Sequence, residues 1–384
     1  MEAFRKKFRI FQSKVYLNSC SQGALSDAVE AALHGWLDIW HRRGSPWDHW
    51  VELQEELRRE FAGLIGASPN EIAISFSAST AIYSVASAMS YTERPAVVMG
   101  ELEFPTQCHI WLEQQARGAR IRWVPARAGT NTPADYRALI DGHTRIVPAT
   151  HVCFRNGFRN DVAGIARAAH EAGAWFLLDD YQSCGSRPVD VRRLGADFYV
   201  AGALKYLLGA SGVAFLYVRR ELIEQLRPTL TGWFAQENPF DFDITQNKPA
   251  GSATRFQTGS PPVPCIYAAL AGIRLLKEIG LENVGKRIAQ LSQLFIRGAI
   301  QRGWKLMTPM DSDGPLVVVA MPDAAAAQSA VMELEKQGII VSSRDNGVRV
   351  SFHAYNSEGD IAAVLDALGR THHQDAKNTK DTKK

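Results

Sequence analysis

The sequence predicts an α/β protein: a large domain built on a mostly parallel sheet covered by helices, then a smaller α+β domain. Three observations predict it. Short apolar runs alternate with helix-like stretches through the middle of the chain. Some of those runs, such as AWFLLDD at 174–180, are apolar throughout their centre, as strands buried on both faces are. After about residue 263 the texture changes to a long helix candidate and then a compact strand, helix and hairpin.

The elements follow in order. EIAISF (71–76) is strand-like and leads into SASTAIYSVASAMS, whose small polar start signals a helix opening at Ser77–Thr80. PAVVMG (95–100), RIRWVP (120–125) and TRIVPATHV (144–152) are further strands. Asn160 or Asp161 caps a helix with Val162, Ile165, Ala166 and Ala169 on one face, and Gly173 stops it. Residues 198–201 and 213–218 are short β-like runs about a turn. PCIYAALAGIRLLKEIG (264–280) is a long helix near the domain boundary. A strand (GPLVVVAMP), a helix (AAAAQSAVMELEKQG) and a strand pair about Asp345, Asn346 and Gly347 follow, the Asn-Gly step being a hairpin signal; a last helix lies near 360–368. The expected division is an N-terminal arm (1–15), a large domain (16–265), a small domain (266–370) and a disordered tail (371–384).

Composition narrows the function. With 384 residues, 46% hydrophobic and 22% charged, the chain has ample length for a large core and two or three domains. Net charge is +3, and the tail alone supplies +2. The nearly neutral body gives no support for nucleic acid or an anionic membrane as partner. Five cysteines without a CxxC pair, and no signal-like start, predict reduced thiols in a cytoplasm. HExxH, Walker A and GxGxxG motifs are absent, and no metal is expected.

FYVAGALKYLLGASGVAFLYV (198–218) carries one charge, Lys205. About 20 apolar residues could span a membrane. Gly202, Gly209, Ser211 and Gly212 break this stretch instead, and no other segment resembles a span. A lysine in such surroundings is costly as an ammonium, so its pKa falls and its amine suits Schiff-base chemistry. Ligands in open parallel sheets sit beyond the carboxyl ends of the strands. Three such ends carry polar groups: Ser77, Ser79 and Thr80, able to cap a helix or hold a phosphate; Asp179, which with Asp180 reads equally as a turn or a metal-binding pair; and Lys205. Phosphate cradle, carboxylate and lysine together are the three holds that pyridoxal phosphate (PLP) requires.

The segment HEAGAWFLLDDYQSCGSRPVDVRRLGADFYVAGALKYLLGASGVAFLYVRREL (170–222) resembles the core of the class V aminotransferase group of fold-type-I PLP enzymes. That group includes cysteine desulfurases, kynureninases and isopenicillin-N epimerase-like proteins, and the resemblance covers roughly 15–370. It implies a seven-stranded sheet, a Schiff base on Lys205, Asp179 on the pyridine nitrogen, Gln182 near the phenolic oxygen, and Ser79 and Thr80 on the phosphate. ELEFPTQ would place Phe104 over the ring. RFQTGSPPVP (255–264) would carry Thr258 and Ser260 to the phosphate of a neighbouring subunit, implying a homodimer with shared active sites. GWF puts Trp233 near the phosphate or in the core. GVRVSFHAYNS (347–357) makes Arg349 the anchor of the substrate α-carboxylate, and YLNSCSQGALS (16–26) puts Asn18, Ser21 and Gln22 at the substrate.

Several positions depart from the family pattern. VSSRDNGVR (341–349) lacks the catalytic cysteine of desulfurases, which argues against a persulfide mechanism of that type. Leu204 precedes the lysine where those relatives have His or Tyr, and Ala201, Gly202 and Ala203 offer no hydroxyl. Gln107 follows FPT where kynureninases carry an acid. The expected function is therefore an enzyme that takes an α-amino acid through a Schiff base with PLP and cleaves its side chain as a lyase or hydrolase, Lys205 acting as base at Cα. Transamination and epimerisation are the alternative reactions, and a catalytically silent PLP-binding protein is the alternative class.

Overall fold

The computed structural model describes residues 1–381, with side chains through 370. The expectation of a disordered tail therefore falls largely on residues whose side chains lie outside the description.

After β1 (Val15–Tyr16) the chain lays down seven strands: β2 (Ile72–Ser75), β3 (Ala96–Gly100), β4 (Arg120–Val124), β5 (Thr144–Thr150), β6 (Trp175–Asp179), β7 (Phe198–Gly202) and β8 (Ala214–Val218). They form one sheet in the order β2-β8-β7-β6-β5-β3-β4. Neighbours are parallel except at β8, which runs antiparallel to β2 and β7. The sheet is thus mostly parallel and seven-stranded, as the sequence predicts.

Uniform apolarity in these strands has a direct cause. Successive side chains point to opposite faces. Phe176, Leu178, Tyr199, Ala201, Phe215 and Tyr217 join one core cluster. The interleaved Leu177, Phe198, Val200, Leu216 and Val218 join another on the opposite face. Each fully buried aliphatic residue contributes about 1.5–3 kcal/mol. The edge strand β4 is largely exposed, so its sequence mixes Arg120 and Arg122 with Ile121 and Trp123.

The second unit contains β9 (Leu316–Ala320), β10 (Ile339–Ile340), β11 (Ser342–Arg344) and β12 (Gly347–Ser351). β11, β12 and β9 make an antiparallel sheet in that order, and β10 pairs in parallel with β1. One face, with Val317, Val319, Val348 and Val350, packs on the helices Leu281–Gln301, Ala324–Lys336 and Glu358–Asp381. Arg349 pairs across strands with Val318 and lies on the other face, where Val318 and Leu316 contact the large domain through Cys20 and Tyr206. The strand pair about Asp345–Gly347 forms as expected, with Arg344 opposite Gly347 and a loop of Asp345 and Asn346.

The N-terminal arm joins this second unit. Phe8 packs edge-on against Tyr355 at 4.8 Å, and Arg5 pairs with Asp360 at 2.6 Å. From β1 the chain crosses to the large domain, placing Cys20 and Ser21 between the two units. Two long N-terminal helices, Asp27–Arg43 and Trp47–Ile65, have no counterpart in the sequence reading. Ser26 caps the first through the Val29 N–H at 3.2 Å, and Pro46 separates the two. No helix among the described residues is long and apolar enough to cross a membrane.

Candidate active site

The carboxyl ends of β2, β6 and β7 and the hairpin β11–β12 open onto one pocket of about 360 Å³. Lys205 follows β7 in the connection to β8 and is half-buried at the pocket floor. Two features hold its backbone. Leu208 adopts φ +59°, a left-handed value that costs a non-glycine residue roughly 1–2 kcal/mol, while its N–H donates to the Lys205 carbonyl at 3.2 Å. Gly23 donates to the Leu204 carbonyl at 2.8 Å, and any Cβ there would collide with the Lys205 carbonyl.

Lys205 Nζ lies 4.8 Å from the Tyr181 ring centroid. Burial pulls its pKa down to about 8, against the upward pull of Cys20 and Asp179 and with the help of Arg349 and Arg344. Tyr181 also explains why position 202, before the lysine, carries no side chain. Its ring and hydroxyl occupy the space that a side chain at Gly202 would need. Leu204 lines the pocket wall.

The two adjacent aspartates have different jobs. Asp179 is buried, accepts the Tyr181 N–H at 3.0 Å, and has a pKa raised to about 6 by that burial. Asp180 is fully buried, 2.7 Å from His151 Nδ1, and accepts the Tyr199 hydroxyl at 2.7 Å. The surface-turn and metal-pair readings of this dipeptide are thereby corrected: Asp180 is a structural anchor, and no metal-holding group of His, Cys, Asp and Glu occurs among the described residues. Asp180→Ala should lower unfolding free energy by about 1–3 kcal/mol in urea titrations, because Tyr199 loses its buried acceptor. Asp179→Asn should not destabilise the cofactor-free protein. Its folded pKa of about 6 lies above the unfolded value of 3.8, so stability falls as pH rises between these values and the full cost of the carboxylate charge persists above pH 6. The same variant should weaken cofactor affinity by roughly 10- to 100-fold in equilibrium titrations.

At the end of β2, Ser77 caps the helix Ala78–Ser87 by accepting the Thr80 N–H at 3.1 Å. Ser79 Oγ lies 3.2 Å from Thr106 Oγ, and Ser77, Ser79 and Thr106 all face the pocket. First-turn N–H groups and these hydroxyls make an anion-binding end. The Thr80 hydroxyl turns to Ser77 at 3.0 Å instead. Phe104 presents an exposed ring to the pocket, edge-on to Phe154 at 4.9 Å. Gln107 is structural: it is buried and donates to Glu103 at 2.9 Å, whose carboxyl burial pushes up to about 8.

Gln182 donates to the Cys20 carbonyl at 3.2 Å and leaves its buried Oε1 unpartnered. Arg349 is 2% exposed and donates only to neutral oxygens: the Phe154 carbonyl at 2.9 Å, Ser342 Oγ at 3.0 Å and Ser21 Oγ at 3.3 Å. A buried guanidinium without a carboxylate partner has the charge and donors to accept one.

Not every expected residue gathers here. Asn18 bridges to Ser351, and Gln22 is exposed and donates to the Gly209 carbonyl at 3.3 Å. Trp233 lies in an aromatic group with Trp47, Phe234 and Phe242, and the Phe234 N–H donates to the Thr258 carbonyl at 3.1 Å. Neither these residues nor Ser260 line the pocket of their own chain. Conversely, Cys20, Thr106, Phe154, Tyr181 and Arg344 line it unannounced. For Phe154 the signal existed, since it closely follows the carboxyl end of β5.

A lysine at the end of β7, a carboxylate at the end of β6 and a hydroxyl-lined helix start after β2 fit the three ends of PLP, and the orphaned Gln182 oxygen marks a further polar contact. The aminotransferase class-V family model matches residues 27–364, and the chain belongs to that family. It is 34% identical to the uncharacterized aminotransferase YcbU of Bacillus subtilis (strain 168), over 96% of this chain and 97% of that one. It is 26% identical to a kynureninase of Pseudomonas fluorescens, over 89% and 84% of the two chains. The fold is shared with the apo cysteine desulfurase from Thermococcus onnurineus NA1, with TM-score 0.86 and 21% identity over 96% and 97% of the chains. It is likewise shared with the cystine C-S lyase C-DES in complex with cysteine persulfide, with TM-score 0.86 and 24% identity over 94% and 99%.

Proposed function

We propose that this PLP-dependent enzyme of the class-V family binds an α-amino acid and cleaves its side chain. The observation that carries the reading is Arg349, a buried cation with neutral partners only, in the same pocket as Lys205. It orients the α-carboxylate so that Cα faces the lysine. When bound, PLP supplies an electron sink for negative charge at Cα. Lys205 would hold the cofactor through Nζ, and its free amine would be the base placed to take the Cα proton. Asp179 would keep the pyridine nitrogen protonated, Ser77, Ser79 and Thr106 would hold the phosphate, and Phe104 would cover the ring and exclude water. Kynureninases among the relatives support side-chain cleavage. Transamination is the second reading, supported by the aminotransferase name of the 34%-identical relative.

Trp233, Thr258 and Ser260 belong to the same proposal as groups completing the site of a partner subunit in a homodimer. Supporting this, all three lie outside the pocket of their own chain, and Trp233 packs against the exposed Phe240 and Phe242. Five free thiols support a cytoplasmic setting. The test of the reaction is a panel of α-amino acids given to the holoenzyme. The expected result is a shortened amino acid or a released side-chain product, with the cofactor still in its aldehyde-derived form. Accumulation of the amine form of the cofactor with a 2-oxo acid, and no cleavage product, would replace cleavage by transamination.

A further inference from the structure

Arg344 is the second guanidinium of the pocket, and nothing in the chemistry above uses it. It lies on β11, opposite Gly347, while its strand-mate Ser342 lies opposite Arg349. Residues two apart on a strand share a face. Arg344 and Arg349 are therefore a diagonal cross-strand pair, a geometry with Cβ atoms within about 7–8 Å. Like charges so placed repel unless something anionic lies against them.

Among the described residues no carboxylate does so. Arg344 is in no ion pair, and its side chain donates only to the Ser343 carbonyl, at 3.4 Å. Its neighbour Asp345 is diverted to Arg155 at 3.8 Å. Asp179, the one carboxylate among the pocket-lining residues, lies with Lys205 at the sheet end. With Lys205 reserved for the cofactor, Arg344 and Arg349 still outnumber the acids of the pocket two to one. The phosphate has its own site at the helix start Ser77–Ser79, on the large domain. Arg344 comes instead from the small-domain hairpin, beside the α-carboxylate anchor.

We infer that Arg344 recognises a second acidic group, so that the substrate is an α-amino acid whose side chain ends in a carboxylate or a comparable oxyanion. This rests on the α-carboxylate reading of Arg349. Phe154 lines the same pocket, with its carbonyl on Arg349 and its ring under Arg155 at 5.4 Å.

The test uses the holoenzyme and probes that cannot react. Calorimetric titration compares succinate and glutarate with butyrate. Arg344 is exposed at the pocket, so the wild type should prefer a dicarboxylate by roughly 2- to 5-fold, the discrimination expected of one solvent-exposed ion pair. Arg344→Gln should reduce that preference to near unity, and Arg344→Lys should retain part of it. With amino acids, Arg344→Gln should raise KM for aspartate or glutamate far more than for asparagine or glutamine, and Arg344→Glu should reverse the order. Equal binding of mono- and dicarboxylates by the wild type, or a preference unchanged in Arg344→Gln, would overturn the inference. Butyrate binding by the wild type that is lost in Arg349→Ala, read in the same titrations, separates this failure from failure of the Arg349 reading, and the imine band of the holoenzyme separates it from failure of the cofactor reading.

Discussion

Lys205→Ala is expected to abolish the imine absorption of the holoenzyme and to lower kcat by about 10²- to 10⁴-fold from the lost proton transfer alone, with loss of the covalent anchor adding to it. The variant should fold. Burial pulls the Lys205 pKa from 10.5 to about 8, so the folded protein disfavours the ammonium. Between these values the unfolded chain binds more protons than the folded one, and the stability of the cofactor-free wild type rises with pH. Lys205→Ala should therefore have its largest relative stability below pH 8 and lose that advantage as pH rises toward 10.5. Urea titrations of both cofactor-free proteins across this range read the difference. The amine should also capture added PLP faster as pH passes through about 8, because the neutral form is the nucleophile. An imine band persisting in Lys205→Ala would remove the lysine from its role.

Arg349→Ala should be the second largest effect. Truncating one partner of a buried, hydrogen-bonded charge pair costs about 2–5 kcal/mol, or roughly 30- to several-thousand-fold in kcat/KM. Most of it should appear in KM, because the guanidinium binds the carboxylate before any chemistry occurs. Arg349→Lys should recover only part, since an ammonium cannot reproduce the contacts to Ser342 Oγ and the Phe154 carbonyl together with a forked carboxylate bond. The imine band should survive in both variants, because Arg349 does not hold the cofactor. An unchanged KM in Arg349→Ala would show that the carboxylate binds elsewhere.

Much of the site was legible because it is local. Asp179 ends an apolar strand, Ser77 opens a helix directly after another, and Lys205 follows a third. Strand ends can be located from apolar runs and their polar boundaries, and strand ends are where parallel sheets place ligands. The long helices Asp27–Arg43 and Leu281–Gln301 escaped notice because their apolar positions recur at helical spacing among charges, without a continuous run. Asp180 shows the limit of local reading. Beside Asp179 it looks like half of a carboxylate pair, yet the pleat sends the two side chains to different surroundings, one to the pocket and one to His151 and Tyr199.

What the sequence determined by itself was the mostly parallel sheet and the placing of Lys205 and Asp179 at strand ends, since each depends on residues a few positions apart. Only the tertiary structure decided who else stands in the pocket. Tyr181 fills the space left by Gly202, Cys20 and Ser21 arrive on a crossing segment from β1, and Arg344 reaches in beside Arg349 from a hairpin more than a hundred residues downstream. No spacing along the chain encodes these contacts. They follow from how two units with separate cores pack, and from the twofold alternation that buries one face of β12 while turning the other toward the lysine.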